Sequence, residues 1–393
     1  MAPGGPTRTY AIIGPMYDSE IAEVIEYHHA MLGDRTRTTA FLKAILETVR
    51  PGDVVLDVGT GTGVLASFAC FAGARRVYAV EQGPVIGLAS RVIDRNGLDD
   101  RVTLINDWST SVRLPEPADV LVTEIIGNVG FDEGILGWVI DARRRLLRPG
   151  AQLVPQAVEL VLAPVEAPRP FDVVHRWADP VFTLDYSPAR EVAANNLYWA
   201  ELSRASLLAD PASGGVVELD SATLRRLEST ASFEIKRAGT IHGLGGWFRA
   251  RLSRSVSIDT TPPNQSPSWS HGLFPLAEPI TVATGDRIDV AVDMRDDGAE
   301  WSWTMTAPTP SSPSITHHAE RGSLRAEAGL WPLDYRPRRT DAAALDALTL
   351  SLIDGEATLG EIATAVRTAH PTQLPTSAHA VAYVEEIVRD YAG

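Results

Sequence analysis

The chain has 393 residues, a formal net charge of −15 and an apolar content of 45%. Its length predicts two or three domains, and its apolar content is sufficient for hydrophobic cores. The acidic balance argues against nucleic acid or an anionic membrane as a partner. Its single cysteine, Cys70, excludes an internal disulfide framework and a cysteine metal cluster, and we expect no metal site.

The N-terminal region predicts helices rather than a targeting segment. No apolar stretch is long enough to span a bilayer, and the opening residues MAPGGPTR lack a signal-peptide core. These features predict a cytoplasmic protein. From Tyr17 to Val49 the apolar spacing is helical, with a break at Gly33.

A glycine-rich turn follows the first predicted strand. Residues 54–58 form a run that is apolar apart from Asp57, typical of a strand buried on both faces. Gly59, Gly61 and Gly63 come next, spaced so that backbone amides approach a ligand closely. This spacing differs from the nicotinamide and flavin motif. A second strand at 75–80 ends in Glu81, an acid placed to bind both hydroxyls of a ribose.

Strands and helices continue to alternate. The predicted elements are helix 83–95, strand 102–106 followed by Asp107, strand 120–124, helix 131–147 and a fifth strand at 151–155. This alternation predicts an α/β domain at 51–155, with an open, mostly parallel sheet and its ligands at the carboxyl ends of the strands.

Two acids frame the loop TEIIGNVGFDE at residues 123–133. Glu124 is predicted at the carboxyl end of a strand, and Glu133 in the first turn of the next helix. Two carboxylates at the mouth of a sheet form a clamp for a cation, and the planar guanidinium of arginine suits them better than an ammonium does. A plainer alternative for Glu133 is stabilisation of its helix N-terminus.

The pattern changes after Pro155. Predicted strands at 156–166, 232–238, 246–257, 279–294 and 300–307 indicate an antiparallel barrel or sandwich over 156–335. A helical arm interrupts it at about 170–210. From Asp341 the chain is helical again. Thr358 to Glu361 forms a capping box that opens a helix carrying Ile362 and Val366, and a last helix follows at 377–391. Residues 341–393 are therefore predicted to be a separate small module.

These elements resemble the protein arginine methyltransferases, a class I S-adenosyl-L-methionine (SAM) dependent family, from about Tyr17 to Trp331. The resemblance rests on the glycine loop, VYAVE ending at Glu81, the two glutamates, HHAMLGDRTRT in the first active-site helix and SWSHGLF at 268–274. It implies that residues 1–50 cap the SAM site, that 51–155 form a Rossmann-like SAM-binding domain, and that a β-barrel with a dimerisation arm follows.

The resemblance also implies roles for single residues. It makes Glu124 and Glu133 catalytic. The implied SAM-binding residues are His28, Arg37, Asp57, Gly59, Gly61, Gly63, Glu81 and Asp107. The implied substrate-pocket residues are Tyr17, Met31, Ser268 and Trp269. Ser268 stands where most members carry histidine. The family's acid near the adenine amine is replaced around Thr110 and Ser111, which leaves Asp107 or another group to bind that amine.

The implied activity is methyl transfer from SAM to a guanidinium nitrogen of arginine, which leaves S-adenosyl-L-homocysteine. The arginine is free, in a peptide or in a natural-product precursor, and the enzyme is expected to be a homodimer. Two alternatives remain: methylation of another small amine or hydroxyl in secondary metabolism, and a non-catalytic subunit that binds SAM or peptide. The C-terminal run LIDGEATLGEIA is similar to PqqD-like helical modules, some of which hold peptide substrates.

Overall fold

A computed structural model describes residues 18–180, 182–263, 268–309, 312–320 and 341–391. The chain divides into two compact units, Met1–Glu327 and Ala328–Gly393. Among the described residues, no helix combines the length and apolar character needed to cross a bilayer. The finer domain boundaries expected within the first unit stay predictions.

Two helices and a parallel sheet begin the described chain. The elements are α1 (Asp18–Gly33), α2 (Arg35–Thr48), β1 (Val54–Val58), α3 (Val64–Phe71), β2 (Arg76–Val80), α4 (Ile86–Arg95), β3 (Val102–Ile105), β4 (Ala118–Thr123), α5 (Ile135–Arg145) and β5 (Leu147–Val154). The strand order is β3-β2-β1-β4-β5 and every pairing is parallel. The order reverses between β1 and β4, the point at which open α/β sheets place a ligand crevice outside the carboxyl ends of the strands.

Two antiparallel sheets follow. Their elements are β6 (Ala157–Val165), α6 (Pro168–His175), α7 (Pro188–Ala194), β7 (Tyr198–Ala200), β8 (Ala212–Glu218), β9 (Leu227–Glu234), β10 (Gly239–Arg251), β11 (Ser257–Asp259), β12 (His271–Val282), β13 (Arg287–Arg295), β14 (Glu300–Thr309) and β15 (Ser312–Glu320). One sheet has the order β7-β12-β10-β6-β8, with β11 beside β10, and the other β15-β14-β13-β9. Phe274 of the first sheet packs 5.4 Å from the rings of Trp301 and Trp303 of the second, so the core lies between them.

The mixed architecture confirms the predicted fold class, but some element bounds were wrong. The strand predicted at 232–238 is β9, which ends at Glu234. The run predicted at 279–294 is divided between β12 and β13, because Asp286 accepts a hydrogen bond from the Ala283 amide and closes a turn. The helix predicted from residue 131 begins at Ile135, after Gly134 with its positive φ. Glu133 therefore lies in the turn before α5 and not in its first turn.

The second unit contains three described helices, α8 (Asp341–Leu352), α9 (Leu359–Ala369) and α10 (Ser377–Tyr391). The predicted capping box is present, since the side chains of Thr358 and Glu361 each accept from the other's backbone amide. A core of its own holds the three helices together, formed by Leu345, Ile362, Ala363, Val366, Leu374, Ala380 and Val384.

Candidate functional site

The glycine loop between β1 and α3 lies directly against α1. Gly61 has a φ of +54°, and a Cβ atom there would lie 2.9 Å from Cε1 of His28. The loop therefore requires glycine for its backbone and for this close approach. Gly59 and Gly63 also have positive φ. Burial, and then the charge of Arg37, lowers the pKa of His28, so the imidazole that covers the loop favours its neutral form.

Two acids lie beside this loop. Asp57, buried at the end of β1, accepts a hydrogen bond of 2.6 Å from the Thr60 hydroxyl, and burial raises its pKa to about 7. Glu81 follows β2, and its carboxylate accepts from the amides of Gly61 at 3.0 Å and Gly83 at 2.7 Å. The carboxylate of Glu81 and the loop amides therefore form one continuous polar edge.

The two predicted catalytic acids occupy one buried environment. Glu124 directly follows β4, and burial raises its pKa, while an ion pair with Arg37 opposes that shift. Burial and then the negative charge of Glu124 raise the pKa of Glu133 to about 8. The negative charge of Glu124 therefore raises the pKa of Glu133, and the positive charge of Arg37 lowers the pKa of both acids. The crevice at β1 and β4 thus combines the glycine loop with two carboxyl groups.

The loop between these acids is fastened at several points. The Asp132 carboxylate accepts from the amides of Asn128 at 3.1 Å and Val129 at 2.8 Å. The Asn128 side-chain oxygen accepts from the amide of Ser270 at 2.7 Å, which joins the loop to the antiparallel part of the fold. The sequence analysis missed Asp132 and Asn128. The one local signal for this pair of residues is that an Asp side chain often accepts hydrogen bonds from backbone amides a few residues away.

Ser268 and Trp269 meet the junction of α1 and α2. The Ser268 hydroxyl donates to the Asp34 carboxylate at 2.7 Å, and Asp34, only 2% exposed, also caps α2 by accepting from the amide of Arg37. Trp269 packs edge-on against Phe248 at 5.0 Å, and the Arg37 guanidinium lies 5.7 Å from its ring centre. Ser268, expected where the resembling family carries histidine, thus hydrogen-bonds this junction.

For three other predicted site residues, the described part of the structure gives no contact of this kind. Asp107 is exposed, and its carboxylate accepts from the amide of its neighbour Trp108. Met31 lies half-buried in the last turn of α1. Tyr17 lies outside the described residues. The roles implied for these three residues, like those implied for the other site residues, stay predictions. The described residues contain no group of three or more His, Cys, Asp or Glu side chains placed to hold a metal ion.

Known proteins resemble this chain in sequence and in fold. The family model of the PRMT5 oligomerisation domain matches residues 216–328, and that of the ribosomal protein L11 methyltransferase (PrmA) matches residues 32–133. Protein arginine N-methyltransferase 6 of Xenopus laevis is 32% identical over 272 residues, which cover 66% of this chain and 80% of the relative. Protein arginine N-methyltransferase 1 of Schizosaccharomyces pombe is 30% identical over 272 residues, which cover 66% and 79%.

A solved structure has the same fold. The chain of the Trypanosoma brucei PRMT1 enzyme-prozyme heterotetrameric complex with AdoHcy superposes with a TM-score of 0.68 at 22% identity, covering 75% of this chain and 97% of that one. At that identity the likeness bears on the fold, while the sequence relatives bear on the family. Together they show that this chain belongs to the protein arginine N-methyltransferase family of SAM-dependent enzymes.

Proposed function

We propose that this protein transfers a methyl group from SAM to a guanidinium nitrogen of an arginine within a polypeptide. The observation that carries the proposal is the pair of half-buried carboxyl groups, Glu124 and Glu133, at the crevice beside the glycine loop. A neutral amine or hydroxyl acceptor would give no reason to bury two acids together, since their desolvation is costly. The names of the sequence relatives support an arginine in a protein rather than the free amino acid.

The residues beside the crevice fit SAM. Arg37 Nε is buried and has no hydrogen-bond partner among the described residues, so this donor is available for the carboxylate of the methionine moiety. Glu81, which follows β2 and lies against the glycine loop, offers carboxylate oxygens as acceptors for the ribose hydroxyls. Bound there, SAM supplies an electrophilic methyl group on a sulfonium.

The two glutamates address the main obstacle to the reaction. A guanidinium is charged at any physiological pH and is a poor nucleophile. Charge-assisted hydrogen bonds to Glu124 and Glu133 draw its positive charge toward the nitrogens they contact, which leaves more lone-pair density on the remaining nitrogen. Fixed orientation of that nitrogen contributes up to about 7–11 kcal/mol in favourable cases.

A proton must leave once the nitrogen carries the methyl group. The attacking nitrogen forms its bond to carbon, the carbon–sulfur bond breaks with its electrons on sulfur, and the methylated guanidinium holds one proton in excess. Glu133 in its ionised form is suited to accept this proton at a carboxylate oxygen, because its pKa of about 8 lies close to neutrality.

The arm supports assembly of two copies into a homodimer. Large apolar side chains are exposed along residues 177–186: Trp177, Phe182, Leu184 and Tyr186. Exposed apolar patches of this kind mark interaction sites. The match of residues 216–328 to an oligomerisation domain also favours a partner subunit, and a second copy of this chain is the occupant we propose.

Mass spectrometry of peptides incubated with the protein and SAM tests the activity. We expect one or more methyl groups on an arginine peptide, and none on the same peptide with lysine in place of arginine. Free arginine, in a parallel reaction, should be methylated far more slowly. Methylation of the lysine peptide, or of neither peptide, would contradict the proposal.

A further inference from the structure

The helix that follows Glu133 begins without a cap from its own neighbours. The N-cap of α5 is Gly134, which has a φ of +82° and no side chain to accept the first amides. The first backbone bond of the helix is long, at 3.4 Å from the Trp138 amide to the Gly134 carbonyl. A helix start of this kind leaves amides in need of an acceptor.

Asp297, distant in sequence, supplies that acceptor. Its carboxylate accepts from the amide of Leu136 at 3.0 Å and from the amide of Gly137 at 2.5 Å. Asp297 lies in the turn between β13 and β14, so the antiparallel part of the fold caps α5. A carboxylate at a helix N-terminus is also favoured by the helix dipole.

The surrounding backbone is shaped for this contact. Asp297 has a φ of +59°, a conformation uncommon for a residue with a side chain and better tolerated by Asp and Asn than by most. A Cβ atom on Gly137 would clash with the Asp297 carboxylate, and one on Gly298 would clash with the Phe131 carbonyl. The turn therefore touches the chain on both sides of Glu133, before it at Phe131 and after it at Gly137.

We propose that Asp297 is a positioning residue for Glu133. Asp297 holds the start of α5 in place, and thereby keeps Glu133, the catalytic acid just before the helix, at a fixed position relative to Glu124. This inference rests on the proposed function. Residues that hold a reacting group must themselves be fixed, because a displacement of about 1 Å can reduce turnover by about a hundredfold. Asp297 touches no reacting atom and acts through the backbone of α5.

Two variants separate this role from plain stability. Asp297→Gly removes the carboxylate but suits the positive φ, and Asp297→Asn keeps that conformation with one acceptor oxygen instead of two. The matched control is Asp286→Gly, in the neighbouring turn between β12 and β13, where the carboxylate accepts from the Ala283 amide at 2.7 Å. We expect Asp297→Gly to lower kcat about tenfold or more, Asp297→Asn to lie between, and Asp286→Gly to retain wild-type kcat. SAM affinity should be equal in all of them.

Hydrogen exchange in the same full-length proteins supplies a second readout. The amides of Leu136 and Gly137 should exchange faster in Asp297→Gly than in wild type or Asp286→Gly. Wild-type kcat in Asp297→Gly, or a loss equal to that of Asp286→Gly, would overturn the positioning role. If wild-type protein methylates no arginine substrate, the proposed function fails first and the positioning role fails with it, while amide exchange still reports whether Asp297 caps α5.

Discussion

The ionisation of Glu133 bears on the proposed binding of a guanidinium. Burial and the charge of Glu124 raise its pKa to about 8, so at neutral pH this carboxyl is mostly protonated in the free enzyme. An arriving guanidinium favours the ionised form, because an opposite charge stabilises a carboxylate. The proposed binding of a guanidinium is therefore coupled to loss of a proton from Glu133.

This coupling predicts the pH dependence of catalysis. The value of kcat/KM for an arginine peptide should rise with pH and level off above about 8, since this ratio reports ionisation in the free enzyme. Glu133→Gln should be slow and should lose this ionisation from its profile. Glu116→Gln, which removes an exposed acid paired with Arg75, should keep the wild-type profile. An unchanged ionisation in Glu133→Gln would contradict the assignment.

The raised pKa of Glu133 also affects the free energy of unfolding. Between the ordinary value of 4.5 and about 8, the folded protein binds more protons at Glu133 than the unfolded chain does. This residue therefore makes the free energy of unfolding fall as pH rises through that window.

Ser268 gives a prediction about the junction of α1 and α2. Ser268→Ala leaves one oxygen of the buried Asp34 carboxylate without its hydroxyl partner, so it should lower the free energy of unfolding by about 1 kcal/mol. Ser270→Ala is the matched control, because Ser270 binds Asn128 through its backbone amide, which alanine retains. Denaturant unfolding of both variants measures the difference, and equal stabilities would show that the Ser268 hydroxyl contributes nothing.

Single residues differ in how far the sequence predicts them. Glu124 and the glycine loop end buried strands, and their signals lie within a few neighbouring positions. The contacts of Asp34 with Ser268 and of Asp297 with α5 join positions more than a hundred residues apart. No local pattern predicts such pairs, because they depend on how separate elements pack.

At the scale of elements, the start of α5 shows why bounds are harder to predict than element types. Phe131 fits the apolar spacing of the helix and is fully buried, yet it lies before the helix. Its burial comes from the packing of the loop, which apolar spacing alone does not distinguish from a helix face. Gly134 ends the loop, whereas the apolar spacing of the sequence places it inside the predicted helix.

The capping box of α9 was predicted and is present, which makes its contribution testable. Thr358→Ala removes the side chain that accepts from the Glu361 amide and should destabilise the helix by about 1 kcal/mol. Thr364→Ala, the same exchange at an exposed interior position, should be neutral or stabilising by a few tenths of a kcal/mol, since alanine favours helix. Hydrogen exchange of residues 359–369 in the full chain compares the two, and equal effects would contradict a role for the cap.

At the scale of the whole molecule, the alternation of strands and helices predicted a parallel sheet, then an antiparallel unit, then a helical module. The order β3-β2-β1-β4-β5, and which antiparallel strands belong to each of the two sheets, were not predicted. The order of strands in a sheet depends on contacts between strands that are distant in the chain. The alternation of strands and helices is predicted from each segment by itself.

The proposed homodimer predicts that the exposed arm governs assembly. Phe182 is 96% exposed and has a φ of +55°, so Phe182→Asn removes an apolar side chain while it suits the backbone. We expect this variant to dissociate into monomers at concentrations where wild type is dimeric. Leu224→Asn, another exposed apolar site outside the arm, is the control. Sedimentation that finds monomeric wild type would refute the dimer.

A methyl-transfer assay of variants at the two glutamates tests whether these side chains bind the substrate guanidinium. Glu124→Gln and Glu133→Gln should each lose roughly a hundredfold or more in turnover of an arginine peptide, while titration calorimetry finds SAM affinity close to that of wild type. Turnover at the wild-type rate in both variants would contradict the proposed role of these acids in catalysis.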